Sequence, residues 1–391
     1  MDNPTPPIRL GIVGLGMAGA VMVHAAARHP GFRITAAAEP QAAPREAFAR
    51  DFNAGAYDDV RRLCDDPAVD AVYIATPHQF HARHASLAAA AGKHVILEKP
   101  MALTLADCDR IIAAVEKAGV HLVVGHTHAF DPAVRAMRAL IASGELGRLG
   151  MIASWNYTNY LYRPRRPEEL DTSKGGGILF NQVPHQVDTV RLLGGGLVKS
   201  VRAHAGGLDQ GRPTEGHAVA FLAFQDGAAA SLVYGGYDFF DSDELHGWIS
   251  ERGAPKQPAH GAARRALAAH IGDEAALRTA NFAYGAAEGI EPPHQPHFGL
   301  TIATCACGEL RGSADGVFVY GEDGRREIAL AEGGRFSGRG NVLDDLAAAI
   351  RTGKKPVHDG RWGKATLEVA LAIQTSAREG REVTLVHQVA V

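Results

Sequence analysis

The first third of the chain alternates short, wholly apolar runs with longer runs whose apolar residues recur at helical spacing. Ile8–Val13, Arg33–Ala38, Val69–Ala75, His94–Leu97 and His121–Gly125 read as buried strands. An Ala/Val/Met-rich run ending at Arg28, then Pro44–Phe52, His81–Ala91 and Leu105–Ala118, read as helices between them. Repeated strand–helix units of this length predict a parallel sheet with helices on both faces. Asp131–Ser143 is a further helix, stopped at Gly144. The pattern then changes. Met151–Tyr160, Val198–Ala205, His217–Phe224 and Ala228–Tyr234 alternate as antiparallel strands do, and Asp226-Gly227 marks a hairpin. Val317–Tyr320 and Arg326–Leu330 flank a second hairpin signal, Glu322-Asp-Gly324. Gly175–Gly196 contains a helix, Asn341–Arg351 and Arg361–Arg378 are helical, and Glu382–Val386 is a short strand. Arg252–Gln295, rich in Ala, His, Gly and Pro, reads as an insertion with a helix at Ala262–Ile271.

The first strand runs straight into Gly14-Leu-Gly16-Met17-Ala18-Gly19 and a helix, and the second strand ends in Glu39. Strand, Gly-x-Gly-x-x-Gly, helix, strand and acid is the order of a dinucleotide site. Gly14 permits the turn, Gly16 lets a pyrophosphate approach the backbone, and Gly19 lets the helix pack on the strand. A carboxylate at Glu39 accepts hydrogen bonds from an adenosine ribose and repels a 2′-phosphate, which favours NAD. Arg45 lies close enough to keep NADP open. Ligands of such sheets bind beyond the strand C-terminal ends. The loops holding Thr76, Pro77, His78 and His81, then Glu98 and Lys99, then His126–Phe130, are therefore expected to line one cleft with the glycine loop. We expect a doubly wound nucleotide-binding domain over residues 1–128. A second α+β domain with a large, mostly antiparallel open sheet follows over 129–391, with helices of 340–380 packing back on the first.

Composition narrows the class. At 46% apolar and 21% charged residues the chain is an ordinary globular one, and its net charge of −3 offers no field for nucleic acid or anionic membrane. There is no uninterrupted apolar run long enough to span a bilayer. The N-terminus is polar and proline-rich, unlike a signal peptide. The four cysteines form no Cys-x-x-Cys pair and read as reduced thiols of a cytoplasmic protein. The histidine clusters complete no metal set, so no metal is expected.

Lys99 follows a strand end and precedes a proline. A lysine there either merely closes the strand or binds a substrate hydroxyl and takes its proton as hydride leaves. Asn181, His185 and Asp188, after the triple glycine Gly175–Gly177, fall at i, i+4 and i+7 of one expected helix face. That stripe is either a solvated face or an acid/base site. Tyr157, Tyr160, Arg163, Arg165 and Arg166 run from an aromatic strand into a basic loop. As a set they suit a flat ring bearing carboxylates, with His128, His185 and Asp188 completing a substrate site.

The chain resembles the Gfo/Idh/MocA oxidoreductases over essentially its full length. The matching pieces are Gly14-x-Gly16-x-x-Gly19, Ala75-Thr-Pro-His-Gln-Phe-His81, Glu98-Lys-Pro100, Gly175-Gly-Gly with Asn181-x-x-x-His185, and the closing Thr366-Leu-Glu-Val-Ala-Leu with Ser376-Ala-Arg-Glu-Gly. The resemblance implies a Rossmann domain, an open-sheet second domain that associates into a homo-oligomer, and nicotinamide-dependent redox at a carbinol carbon. Lys99 is then the hydroxyl-binding lysine and His185 its acid/base partner. Two positions depart from the family pattern: Asn181 stands where Asp is usual, and His78 where Asn is common. Pro77–His81, Val124–His128, Tyr162–Leu170 and Asp241–His246 look most like the members described as phthalate 4,5-dihydrodiol dehydrogenases. The implied reaction oxidises a carboxylated cis-dihydrodiol to a catechol. A sugar or inositol dehydrogenase, and a non-catalytic NAD-binding regulator, are the alternatives.

Overall fold

The computed structural model describes residues 6–270, 272–285, 292–330 and 337–391. It divides into two compact units. The first comprises Met1–Gly125, Ala276–Gly289 and Arg339–Lys364, and the second His126–Ala275, Ile290–Gly338 and Ala365–Val391.

Among the described residues the first unit is built on six strands: β1 (Ile8–Val13), β2 (Phe32–Ala38), β3 (Gly55–Tyr57), β4 (Ala71–Ile74), β5 (His94–Glu98) and β6 (Leu122–Gly125). They lie in the order β3-β2-β1-β4-β5-β6, all parallel. The apolar runs are continuous because both sheet faces are covered. Ile12, Tyr73, Ile74, Ile96, Leu97 and Val124 have no exposed surface. Strand order reverses between β1 and β4, which puts the ligand crevice of this sheet at the ends of those two strands. The expected parallel architecture is present. The short elements β3 and helix Val60–Cys64 escape sequence reading, because neither is long enough to show a period.

Among the described residues the second unit carries nine strands. β7 (Leu149–Tyr157), β8 (Val198–Gly206), β9 (His217–Phe224) and β10 (Ala229–Gly235) precede β11 (Leu300–Cys305), β12 (Gly308–Gly312), β13 (Gly316–Gly321), β14 (Gly324–Ala329) and β15 (Val383–Thr384). The order is β14-β13-β12-β11-β7-β10-β9-β8-β15. Only β7–β10 is parallel among the described pairs, so the sheet is mixed but mostly antiparallel, as expected. β11 and β12 were not legible, since Thr, Ala and Gly dilute their alternation. Helix Val183–Leu193 packs on the sheet, and Gln186 bolts it there by donating to the carbonyls of Ser154 (3.3 Å) and Val233 (3.2 Å). The described part of the Arg252–Gln295 stretch is partly helical. It holds helices Ala262–Ala268 and Glu274–Phe282, the second unforeseen. No helix among the described residues is long and apolar enough to cross a membrane.

Candidate active site

In the first unit the glycine loop has the expected geometry. Gly14 has a φ of +92°, and a Cβ on it would lie 2.8 Å from the Ala75 carbonyl. A Cβ on Gly19 would lie 1.9 Å from the Gly14 carbonyl, so only glycine closes the helix onto the strand. At Gly16 a Cβ would meet nothing within 4 Å. Open space therefore lies over the N-terminus of helix Met17–Arg28, the positive end of its dipole. Glu39 is buried at the end of β2. It accepts from Leu15 N–H (2.8 Å) and Gln41 N–H (3.0 Å), so the acid and the glycine loop are held as one piece. Arg45 spends its guanidinium on the carbonyls of Glu39 (2.7 Å) and Pro40 (2.9 Å). It supports the acid instead of extending a cation toward a phosphate. An open phosphate cradle with a fixed carboxylate fits NAD.

The next two loops are tied together by His81. Its ring is fully buried, with Nδ1 2.9 Å from the Pro100 carbonyl and Nε2 2.9 Å from the Thr76 carbonyl. Burial pulls its pKa down despite those two acceptors. His81 was expected to contact cofactor. It sits beneath the loops as a brace, and the correction follows from its burial. Thr76 is also 3.1 Å from His84 through its hydroxyl, and His78 stands edge-on to His81, 5.5 Å between centroids. Glu98 is buried too: it accepts from the Tyr73 hydroxyl and from Lys99 N–H (3.2 Å). Burial, then the Glu98 charge, raises the Tyr73 pKa. Glu98 thus anchors the backbone that carries Lys99, whose side chain is half-buried. Tyr284, which no motif announced, belongs with this unit. Its N–H donates to the Leu15 carbonyl (2.9 Å) and its hydroxyl to Asp51 (2.8 Å).

In the second unit the expected polar stripe is broken. The helix after the glycines ends at Asn181, and a new one starts at Val183, so Asn181 does not share a helix face with His185 and Asp188. Asn181 donates to the Gly175 (3.1 Å) and Gly177 (2.9 Å) carbonyls and holds the triple-glycine turn. Asp188 has no exposed surface; it accepts from the Thr366 hydroxyl (2.9 Å) and lies 4.0 Å from buried His126. It is a core group, not a substrate ligand.

His185 meets different neighbours. Its ring lies 4.8 Å from that of His128, edge to face, and 4.9 Å from Phe298. His128 Nδ1 is 2.9 Å from the buried Asp131 carboxylate. The spacing His128-x-x-Asp131 could have signalled this pair; Phe298 carried no signal.

The three arginines part company. Arg165 is buried, donates through Nε and Nη2 to the Tyr160 carbonyl (3.1 and 2.7 Å), and stacks 3.8 Å over the buried Tyr160 ring. Arg166 is ion-paired to Glu168 (3.4 Å) and Glu169 (3.3 Å). Both are struts, contrary to the expectation that they bind substrate, and buried Tyr160 is a strut with them. Tyr157 is exposed and packs edge-on against Phe240. Arg163 donates through Nε to Asn159 (2.7 Å) and pairs Nη2 with Glu251 at 3.6 Å, which leaves Nη1 without a hydrogen bond among the described residues. Burial pushes the Glu251 carboxyl up, but Arg163, then His128 and His297, outweigh it and keep it low. No metal-binding group of three appears among the described residues.

The oxidoreductase family with an NAD-binding Rossmann fold (GFO/IDH/MocA) matches residues 8–126, and its C-terminal domain matches 134–243. A 1-carboxy-3-chloro-3,4-dihydroxycyclohexa-1,5-diene dehydrogenase from Comamonas testosteroni is 40% identical over 94% of this chain and 94% of its own. A myo-inositol 2-dehydrogenase from Thermotoga maritima is 32% identical over 47% of this chain and 56% of its own. A crystal structure from Bordetella bronchiseptica RB50 superposes with a TM-score of 0.94 at 47% identity, covering 97% of this chain and all of the other.

Proposed function

The chain belongs to the Gfo/Idh/MocA family and is an NAD-dependent oxidoreductase, and from that premise we propose that its substrate is a carboxylated aromatic cis-dihydrodiol of the phthalate 4,5-dihydrodiol kind, oxidised to the catechol. The observation that carries this reading is the 40% identity, across both units, to an enzyme named for a carboxylated dihydroxycyclohexadiene. The inositol relative matches only about half the chain.

Gly14–Gly19 and Glu39 hold the NAD, which when bound accepts the hydride. Lys99 binds the reacting hydroxyl and takes its proton, assisted by His185 as acid/base. Arg163 holds a ring carboxylate through its remaining donors. Charge-assisted hydrogen bonds of this kind are worth roughly 1.5–3 kcal/mol. Arg163→Ala should therefore raise KM for a carboxylated diol about 10- to 100-fold with a smaller change in kcat. Arg165→Ala should instead lower the melting temperature, because its contacts are internal. The assay is NAD+ reduction over a panel of cis-dihydrodiols, with and without carboxylates, beside inositol and glucose. Turnover confined to neutral polyols would replace this reading with the sugar-dehydrogenase one, and NADH binding without turnover on any of them with a regulatory one.

A second copy of the chain is the proposed partner of the sheet. Trp155 and Val219 both lie in register with Val233, and Phe221 is the partner of Ser231 beside them. Met151, Trp155, Val219 and Phe221 are 53, 44, 48 and 52% exposed, a contiguous apolar strip across β7, β10 and β9. Light scattering on the parent and on Trp155→Glu/Phe221→Glu should show an oligomer and its dissociation. A monomeric parent would sink the proposal.

A further inference from the structure

Oxidising a cis-dihydrodiol to a catechol takes two deprotonations at different atoms. The hydride step removes the O–H proton of one carbinol and leaves a ketone. Aromatisation then removes the C–H proton of the neighbouring carbinol carbon. Its electron pair becomes the ring double bond, and the carbonyl oxygen regains a proton. Diol and NAD+ thus give catechol, NADH and one proton. A base that has just received the hydroxyl proton cannot take the second. It is suited to return the first to the carbonyl oxygen.

We propose that His128, oriented by Asp131, is the base for that second deprotonation; the proposal rests on the dihydrodiol reading above. Asp131 is 3% exposed and its carboxylate lies 2.9 Å from His128 Nδ1. A carboxylate only accepts, so Nδ1 carries the ring proton and the Nε2 lone pair is left available. Among the described residues Nε2 makes no hydrogen bond. The His128 side chain is 20% exposed, so a solute can reach it. The His128 ring stands edge-on to His185 at 4.8 Å, and both pack against Phe298, at 4.6 and 4.9 Å. Two imidazoles thus share one apolar wall suited to a flat ring. His128 is the catalytic residue of this step and Asp131 its positioning residue.

The test uses a hydroxycyclohexenone carboxylate whose ring lacks the second double bond and cannot aromatise. In D2O with NAD+ present the ketone has no hydride to receive, and NMR follows exchange of the carbinol C–H beside the carbonyl. The parent should accelerate exchange over buffer. His128→Ala should lose about 10²-fold or more of that acceleration, the scale of general-base catalysis, and added imidazole should restore part of it. Asp131→Asn should lower the maximal exchange rate while leaving the half-saturating ketone concentration unchanged. Parent exchange no faster than buffer, or His128→Ala exchanging at the parent rate, would overturn the assignment. If the parent reduces NAD+ with carboxylated dihydrodiols yet fails the exchange test, only this inference falls. If it reduces NAD+ with none of them, the dihydrodiol reading falls and takes this inference with it.

Discussion

Lys99→Ala should lower kcat on the true substrate by on the order of 10³-fold while leaving NADH affinity nearly unchanged. Positioned proton transfer contributes about 10²- to 10⁴-fold in enzymes, and the hydroxyl proton must leave as the hydride does. The backbone around Lys99 has ties of its own. Glu98 holds the Lys99 backbone N–H at 3.2 Å, and Glu98 is itself fixed by the Tyr73 hydroxyl. His81 braces the following Pro100 carbonyl from below. The glycine loop and Glu39 are tied to each other. Stopped-flow NADH formation and NADH fluorescence titration are the two measurements. Turnover within a few-fold of the parent would remove Lys99 from the proton path. An equal loss of NADH binding would make it a cofactor residue.

What could be read from the residues alone depended on the range of the forces involved. Gly14, Gly19 and Glu39 act within one strand–turn–helix–strand segment, and their spacing sets their geometry. The result is a 1.9 Å constraint at Gly19 and a 2.8 Å bond from Leu15 to Glu39. Parallel strands were legible for a similar reason, since burial on both faces leaves a continuous apolar run. Side chains whose role depends on distant partners were not legible. Arg165 looked like a substrate ligand because nothing nearby in sequence shows that Tyr160 folds under it, or that Glu274, 109 residues on, accepts from its N–H. Asn181 was misread through one residue: the helix breaks at Gln182, and a seven-residue pattern does not reveal a break. Asp188 is the sharpest case, because its partner Thr366 lies 178 residues away.

Arg191→Met should destabilise the second unit by about 3–5 kcal/mol, the scale of breaking a buried charge pair by removing one side. Arg191 has no exposed surface. Burial lowers its pKa to about 10, against the opposing pull of Asp188 and Glu368, so it stays charged at neutral pH. Its Nη1 donates to the Thr366 hydroxyl (2.7 Å), which donates in turn to Asp188 (2.9 Å). Its Nε donates to Gln388 (2.9 Å), whose amide donates to Glu368 (2.7 Å). Each hydroxyl and amide has one consistent direction, so the network is satisfied only as a whole. Methionine would fill the volume but leave two buried carboxylates without their cation. A fall of on the order of 10 °C in the melting temperature should follow. Asp188→Asn should also be destabilising. The double variant Arg191→Met/Asp188→Asn should cost less than the sum of the two, since each single change strands the other's charge. The same cycle separates the core role from a substrate role. A substrate ligand at Asp188 would raise KM at unchanged stability and add independently to Arg191→Met. The buried network predicts lost stability, coupling between the two sites, and an unchanged KM for the protein that remains folded.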